Sequence, residues 1–346
     1  MRSRAEFIAD TYALDAGAQG TGVGAGAWDM VPVARGALGQ IWKLSGGDGT
    51  GDGTGGGAGG SWAVKELLFG CDEEQVGREA VLRNAAEGLG ISAPRFFADR
   101  TGAYVSRLPD SFGGSYVKLY DWVDGGDADP SDPETLAWCG RTLALLHRAG
   151  EGGGGTPGDW YERAPREGDW AELCAGVRRA GLPWADALER FVATTAVELA
   201  RHVTPSGPGD VVTSHLDMRP QNVLVGPAGP ALLDWDNAGP VSAERELARA
   251  VYVWAGGNDF HADSARRLVR AYADAGGRAV VKSLDSFSML FATDLNYVYV
   301  QAECAIDPAV TDAQRAFGGE QVVAMLGRLP DPAAVGRLTE ALAAEW

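Results

Sequence analysis

The sequence predicts an α+β protein that consists of a small antiparallel sheet followed by a larger, mainly helical part. Strand-like runs are concentrated before residue 125, and apolar residues recur at helical spacing from Thr135 onwards. The length of 346 residues exceeds one average domain and suits two lobes. We therefore expect an N-terminal lobe over residues 1–120, a hinge over 121–125 and a C-terminal lobe over 126–346.

Composition limits the classes of function. The formal net charge is −17, which argues against nucleic acid or an anionic membrane as a partner, since both call for a basic surface. The acidic surface is compatible with a cationic ligand, and equally with a surface that is acidic only for solubility. The four cysteines lack C-x-x-C spacing, and neither a signal peptide nor a membrane-spanning apolar run is evident. We expect a soluble, cytoplasmic protein with reduced thiols.

The N-terminal part begins with a short predicted helix over residues 5–14 and a strand over 28–34. A glycine turn with Gly36 and Gly39 leads into the next strand. The segment 45–60 is mostly glycine and contains no large apolar residue, so we expect a flexible loop inserted between two strands.

The next strand, over residues 61–69, carries Lys65 between apolar neighbours, in the order Ala-Val-Lys. A helix is predicted over residues 73–87. Further strands over 103–106 and 115–123 complete a small sheet.

The C-terminal part is predicted to be mainly helical. The residues 135–148 have helical periodicity, and a helix over 188–202 leads into the most polar stretch of the chain. Ser242 is a candidate N-cap for a helix over 243–254. Further helices are expected at about 262–276, 280–304, 311–327 and 332–345.

The stretch from Ser214 to Pro240 concentrates the chemistry. Two short apolar runs, Val223–Val225 and Ala231–Leu233, flank a Gly/Pro-rich turn and predict a hairpin. A hairpin brings the loop before its first strand close to the end of its second. Polar side chains stand at both places: His215, Asp217 and Asn222 before the hairpin, and Asp234 after it. Two carboxylates and an amide oxygen around one point suit Mg²⁺.

The order His215-x-Asp217-x-x-Pro-x-Asn222, followed by Leu-Leu-Asp234-Trp-Asp236, resembles the aminoglycoside phosphotransferase and choline kinase family. These small-molecule O-kinases have a protein-kinase-like two-lobe fold. The five-residue step from Asp217 to Asn222 matches the protein-kinase catalytic loop, although the chain has His-Leu-Asp for H-R-D and Asp-Trp-Asp for D-F-G.

The resemblance implies roles for residues that match the family's motifs. Asp217 would deprotonate the acceptor hydroxyl, and Asn222 and Asp234 would ligate Mg²⁺ that bridges the nucleotide phosphates. Lys65 would hold those phosphates, oriented by a helix glutamate, for which Glu79 is the first choice.

Glu74 is the competing choice for that glutamate. The backbone near Gly36 and Gly39 would cover the phosphates, and the purine of ATP or GTP would bond to the backbone near Asp121 and Val123. The sequence does not choose between ATP and GTP.

Supporting roles are predicted for four further residues. His215 would brace the catalytic loop, as would Glu246 from the following helix. Arg219 would stabilise the charge of the transferring group, or else form a salt bridge with a neighbouring acid. Asp236 stands two residues after Asp234, so in an extended chain it lies on the same side and would support the metal through water.

The acceptor is the least constrained element. Polar residues of the later helices from which its pocket could be drawn are Asp259, Asp263, Asp294, Asn296 and Glu303. The leading interpretation is phosphorylation of an antibiotic of aminoglycoside, peptide or nucleoside type, which gives resistance. A metabolite kinase of choline- or homoserine-kinase type is the alternative.

Two other classes of protein are less compatible with the sequence. A catalytically inactive kinase fold that only binds a nucleotide or partner predicts the loss of at least one of Lys65, Asp217, Asn222 and Asp234, and all four are present. A protein kinase needs an activation loop after Asp234, and the interval before the next helix is too short for one.

Overall fold

The structure is a computed structural model that describes residues 3–14, 28–36, 39–46 and 60–345. The described residues form two compact units. The first unit comprises those of Met1–Ala128 and Gln221–Ala238, and the second comprises those of Asp129–Pro220 and Gly239–Trp346. The predicted lobes divide the chain only once, near residue 125, so the structure differs from them in placing Gln221–Ala238 with the N-terminal elements. Most of the glycine-rich segment 45–60 lies outside the described residues.

The first unit is built on an antiparallel sheet. The strands of this sheet are β1 (Asp29–Arg35), β2 (Gly39–Gly46), β3 (Gly60–Leu67), β4 (Phe96–Phe97), β5 (Ser106–Arg107) and β6 (Tyr116–Asp121). Their order is β1-β2-β3-β6-β4, and β5 also pairs with β6.

Period-two alternation separates the two faces of this sheet. On one face, Val117 and Leu119 are fully buried with the side chains of α1 (Arg4–Thr11), a helix that begins with a capping box at Ser3. On the alternate positions of β6 stand Lys118 and Tyr120, which are also buried. They contact α2 (Glu73–Gly88), which is capped by Asp72. One face of the sheet is therefore apolar, and the other carries buried charge.

The predicted hairpin is present in the first unit. Its strands are β9 (Val223–Gly226) and β10 (Gly229–Leu232), with Gly229 at a φ of +95°, and β7 (Gly126–Asp127) pairs with β9. The backbone N–H of Leu232 also donates to the carbonyl of Ser92 at 2.9 Å. These pairings explain why the hairpin groups with the N-terminal elements.

The second unit is mainly helical, and a short antiparallel pair, β8 (Val211–Ser214) and β11 (Gly239–Ser242), accompanies the helices. The helices are α3 (Pro133–Ala149), α4 (Asp159–Glu162), α5 (Glu167–Arg179), α6 (Ala185–Phe191), α7 (Val197–Ala200), α8 (Ala243–Ala255), α9 (Ala262–Asp274), α10 (Ser288–Ile306), α11 (Asp312–Leu326) and α12 (Pro332–Leu342). Ser242 caps α8, as predicted, and its hydroxyl accepts the N–H of Arg245. Along the described ranges, no helix is both long and apolar enough to cross a membrane.

Candidate active site

The residues of the predicted catalytic loop that belong to the second unit follow β8, and the backbone is strained at Leu216. Leu216 has a φ of +62°, a region that residues with a side chain rarely occupy. Its N–H donates to Oε1 of Glu246 at 2.6 Å, and its carbonyl accepts from Nη1 of Arg249 at 3.0 Å. Both anchoring side chains come from α8, so one helix fixes both polar groups of the strained residue.

Asp217 follows this residue and is nearly buried, with 6% of its surface exposed. Oδ1 lies 3.2 Å from Nη2 of Arg249, and Oδ2 lies 3.1 Å from Nε of Arg219. The N–H of Asp217 donates to Nδ1 of the fully buried His215 at 3.2 Å. Arg219 therefore forms a salt bridge with a neighbouring acid, Asp217, which is the second of the two roles predicted for it. His215 contacts the backbone of the loop at Asp217.

A chain of buried hydrogen bonds supports Glu246 from behind. Its Oε2 lies 2.9 Å from Nε2 of His147, whose Nδ1 lies 2.8 Å from the hydroxyl of Tyr272. Burial alone would raise the pKa of Glu246, but the hydrogen bond and charge of His147 and the N–H of Leu216 outweigh burial and lower it. The carboxylate therefore stays charged where it holds the backbone of Leu216, and its bracing of a catalytic loop stays a prediction.

In the first unit, Lys65 on β3 forms two short ion pairs. Its Nζ lies 2.6 Å from Oδ1 of Asp234 and 2.7 Å from Oδ2 of Asp236. Burial alone would lower the pKa of Lys65, but the charges of Asp236 and Asp234 outweigh burial and raise it. Lys65 is therefore a fixed cation beside the proposed metal-binding aspartate.

The predicted ion pair between Glu79 and Lys65 is corrected by the structure. Glu79 is fully buried, and its carboxylate lies 2.6 Å from Nζ of Lys118 and accepts from the hydroxyl of Tyr120 at 2.8 Å. Lys118 is the cross-strand partner of Lys65, and it is Lys118 rather than Lys65 that pairs with the helix glutamate. The competing choice, Glu74, pairs with Arg78 on the exposed side of α2.

Both carboxylate oxygens of Asp236 are engaged by lysines. Oδ2 contacts Lys65, and Oδ1 lies 2.9 Å from Nζ of Lys118. Burial alone would raise the pKa of Asp236, yet the two lysines lower it to about 2. The position predicted to support a metal through water thus binds two ammonium groups directly.

The two predicted metal ligands lie at the open end of the hairpin. Asn222 immediately precedes β9, and Asp234 is the second residue after β10. The carbonyl of Asn222 accepts the N–H of Leu233 at 2.8 Å, which ties the two positions together. Asp234 adopts a φ of +57°, and 39% of its side chain is exposed.

The chemistry of this donor pair fits Mg²⁺, because both side chains offer the hard oxygen ligands that this ion prefers. Within the described ranges, no group of three or more His, Cys, Asp or Glu side chains is arranged to hold a metal ion. Mg²⁺ commonly binds through one or two protein ligands together with substrate phosphates and water, so the pair suffices chemically.

The predicted nucleotide contacts lie at opposite ends of the strands of the sheet. Gly36 and Gly39 close the β1–β2 connection, with the N–H of Gly36 donating to the carbonyl of Gly39 at 2.9 Å. A Cβ at Gly39 would lie 3.1 Å from Cε of Lys65, so glycine leaves room for the lysine. At the other end of the strands, the N–H of Asp121 donates to the carbonyl of Arg95 at 3.0 Å, so this N–H already has a partner within the first unit. Val123 follows Asp121 by two residues.

The five acceptor candidates of the second unit differ in their surroundings. Asp259 and Asp263 are exposed, and Asp263 bonds to Arg266. Asn296 ties down the α4 region, because its Nδ2 donates to the carbonyls of Trp160 and Arg163 at 2.9 and 2.7 Å.

The two remaining candidates are acids on α10. Glu303 bonds to the hydroxyl of Tyr299. Burial raises the pKa of Asp294 to about 6, although the charges of Arg249 and Arg219 oppose the shift. Asp294 therefore interacts with the same two arginines as Asp217, and among the five candidates it is the one that the structure associates with the loop after β8.

Two residues of the site were missed by sequence reasoning, namely Arg249 and Lys118. Each had a weak signal. Arg249 follows Glu246 by three positions and so shares its helix face, and Lys118 interrupts the apolar run of the strand predicted over residues 115–123.

The comparison with protein families decides the family. Residues 54–284, more than half of the chain, match the family model described as the phosphotransferase enzyme family (APH). The chain belongs to the phosphotransferase enzyme family. The resemblance inferred from the His215–Asp236 motifs is thereby confirmed.

Solved structures show the same fold as this member of the phosphotransferase family. A spectinomycin phosphotransferase, APH(9)-Ia, in complex with ADP and spectinomycin has a TM-score of 0.57 and 15% identity, and the match covers 91% of this chain and 93% of that one. An aminoglycoside phosphotransferase from Alicyclobacillus acidocaldarius has a TM-score of 0.53 and 17% identity, with 92% and 93% covered.

The amicoumacin kinase hAmiN, in complex with AMP-PNP and Ca²⁺, has a TM-score of 0.51 and 12% identity, with 87% and 89% covered. Among curated proteins, the chain has no match. The predicted α+β, protein-kinase-like fold class is confirmed.

Proposed function

We propose that the protein transfers the γ-phosphoryl group of a nucleoside triphosphate to a hydroxyl group of a small molecule. The observation that carries the proposal is the 2.6 Å contact between Nζ of Lys65 and the carboxylate of Asp234. Kinases use such a pair in phosphoryl transfer: a lysine on a strand binds the nucleotide phosphates, and an aspartate that follows an apolar strand binds their metal ion.

The proposed roles follow from the surroundings of each side chain. Lys65 binds phosphate oxygens, for which its permanent charge is suited. Asn222 and Asp234 would hold Mg²⁺, which when bound neutralises charge on the phosphates. Asp217 orients the acceptor hydroxyl and takes its proton. The acceptor oxygen then bonds to the γ-phosphorus while the bond from that phosphorus to the β–γ bridging oxygen breaks, which yields a phosphate monoester and a nucleoside diphosphate.

We propose an antibiotic as the acceptor and resistance as the consequence. Support comes from the fold shared with the spectinomycin phosphotransferase and the amicoumacin kinase, whose names state such substrates. The net charge of −17 favours a cationic acceptor. Because nucleoside triphosphates are supplied inside the cell, the proposed location is the cytoplasm.

The test is phosphate transfer by the purified protein with Mg²⁺ and either ATP or GTP. The panel contains aminoglycosides, spectinomycin, peptide and nucleoside antibiotics, choline and homoserine. We expect turnover that depends on one acceptor class and is lost in Asp217→Asn, while the same substitution at the exposed Asp312, which has no proposed role, has no effect. Turnover with choline or homoserine alone would replace the antibiotic by a metabolite. Stabilisation by nucleotide without any transfer would favour the inactive binding module.

A further inference from the structure

We propose that Lys118 is a positioning residue for the phosphate-binding lysine, and that α2 acts on Lys65 through the chain Glu79–Lys118–Asp236–Lys65. The inference rests on the proposed function, because it assigns Lys65 to the nucleotide phosphates. The sequence predicts a direct contact between Glu79 and Lys65. In the structure the connection is indirect, and Lys118 and Asp236 stand between the two residues.

The first step is the register of the sheet. Lys65 on β3 and Lys118 on β6 stand directly opposite each other in an antiparallel pair. Side chains at such positions lie on the same face, with Cβ atoms about 5 Å apart, and like charges there repel. The two ammonium groups need an anion between them, and Asp236 supplies it with one carboxylate oxygen for each lysine, at 2.7 and 2.9 Å.

The second step is the alternation of charge along the chain of contacts. In their ionised forms Glu79 and Asp236 are negative and Lys118 and Lys65 are positive, and the successive distances along the chain are 2.6, 2.9 and 2.7 Å. The side chains of Glu79 and Lys118 are 0% and 3% exposed, so water screens their interaction little. Each member therefore changes the charge that the next one experiences.

The third step is a second connection between α2 and the same segment. Nε2 of Gln75 donates to the carbonyls of Asp236 and Ala238, each at 2.7 Å. Gln75 precedes Glu79 by one helical turn, so both residues lie on the same face of α2. Gln75 holds the backbone of Asp236, and Glu79 holds the side chain of Asp236 through Lys118. A shift of α2 would move the partner of Lys65.

The consequence concerns the competition for Lys65. Nucleotide phosphates must compete with Asp234 and Asp236 for the ammonium group of Lys65. Lys118 neutralises part of the negative charge of Asp236, so Asp236 attracts Lys65 less strongly. Without Lys118, Asp236 would bind Lys65 more strongly and phosphates would bind less well.

The experiment compares the single variant Lys118→Met with the double variant Lys118→Met/Glu79→Gln. The single variant leaves Glu79 as a buried charge without its cation, so we expect a loss of stability. The double variant removes a complete ion pair and should recover most of the melting temperature. We measure the melting temperature, and the Kd of a non-hydrolysable nucleoside triphosphate with Mg²⁺ against the Kd of the corresponding nucleoside.

We expect the triphosphate Kd to rise about tenfold in both variants while the nucleoside Kd changes less than about twofold, since Lys65 contacts only phosphates. Glu66→Gln is the matched control, because Glu66 lies beside Lys65 on β3 and bonds to Ser115 and Trp42. It should leave the triphosphate Kd unchanged.

A double variant that recovers both its melting temperature and the wild-type triphosphate Kd would overturn the inference, because Glu79 and Lys118 would then serve stability alone. An equal loss of nucleoside and triphosphate affinity would overturn it too. A wild-type protein that binds no triphosphate would overturn the proposed function itself, a result distinct from both.

Discussion

Arg249 holds the carboxylate of Asp217 through Nη2 at 3.2 Å, while Nη1 of the same guanidinium holds the carbonyl of Leu216 at 3.0 Å. One side chain thus fixes both the backbone of the strained residue and the carboxylate that follows it. Burial alone would lower the pKa of Arg249, but the charge of Asp217 outweighs burial and raises it. The guanidinium is therefore charged whenever the loop is folded.

Arg249→Lys is expected to lower kcat at least about tenfold, with a smaller change in the KM for nucleotide. Lysine keeps the charge but has a single ammonium group in place of the planar fork that bonds to two acceptors at once. The carboxylate of Asp217 would then lose its fixed orientation, which should affect the proposed proton transfer more than nucleotide binding. Steady-state kinetics with the acceptor identified by the panel measures both constants.

The control is Arg245→Lys, one turn earlier on the same helix. Arg245 is also buried and bonds to Glu162 and to the carbonyl of Thr204, away from the catalytic loop. It should lower the melting temperature without lowering kcat per folded molecule. Equal losses of kcat in the two variants would show that Arg249 acts only through stability.

Glu246→Gln is expected to reduce the free energy of unfolding by about 2–4 kcal/mol. The amide oxygen can still accept the N–H of Leu216, but the charge facing His147 is lost inside the core. Urea unfolding measures the difference.

Glu244→Gln, two residues earlier, is the matched control. Its partner Lys282 is largely exposed, so the change should stay within about 1 kcal/mol. A Glu246→Gln variant no less stable than Glu244→Gln would contradict the bracing role.

Local patterns predicted much of what the structure contains. The turn between β9 and β10 and the N-cap at Ser242 depend only on neighbouring residues, and both are present in the structure as predicted. The family follows from the same short motifs, because they state which chemical groups stand in which order.

The partner of Glu79 could not be predicted in this way. Whether its carboxylate reaches Lys65 or Lys118 depends on the pairing of β3 with β6, which lie 53 positions apart at this pair, and on the direction in which α2 projects. The contacts of Arg249 with Leu216 and Asp217 could not be predicted for a related reason. A helix of mixed composition does not reveal which arginine faces a distant loop until the packing is known.

The pH dependence of stability tests the environment of Asp294. Burial raises its pKa from 3.8 to about 6. A folded-state pKa above the unfolded value gives a contribution that is fully present below about pH 4 and is lost as pH rises through about 6. Asp294→Asn does not ionise, so it should gain stability relative to the wild type across that window, by at most about 3 kcal/mol.

Urea unfolding at intervals from pH 4 to pH 7 gives this difference directly. Asp263→Asn, at an exposed position of the same unit, should run parallel to the wild type. Parallel curves for Asp294→Asn as well would show that the surroundings of Asp294 do not raise its pKa in the folded protein.

Two glycine-to-alanine substitutions should change stability in opposite directions. A Cβ at Gly140 on α3 would lie 2.2 Å from the carbonyl oxygen of Leu268 on α9, so Gly140→Ala forces the helices apart and should cost about 2–3 kcal/mol. Gly77 on α2 has nothing within 4 Å of an added Cβ, and alanine there should stabilise by about 0.5–1 kcal/mol. Both glycines are helical, so helix propensity favours alanine equally at the two sites. Calorimetry measures the melting temperatures, and the difference between the two variants reports the contact between α3 and α9. A Gly140→Ala variant that melted higher than the wild type would mean that these helices approach less closely than the structure has them.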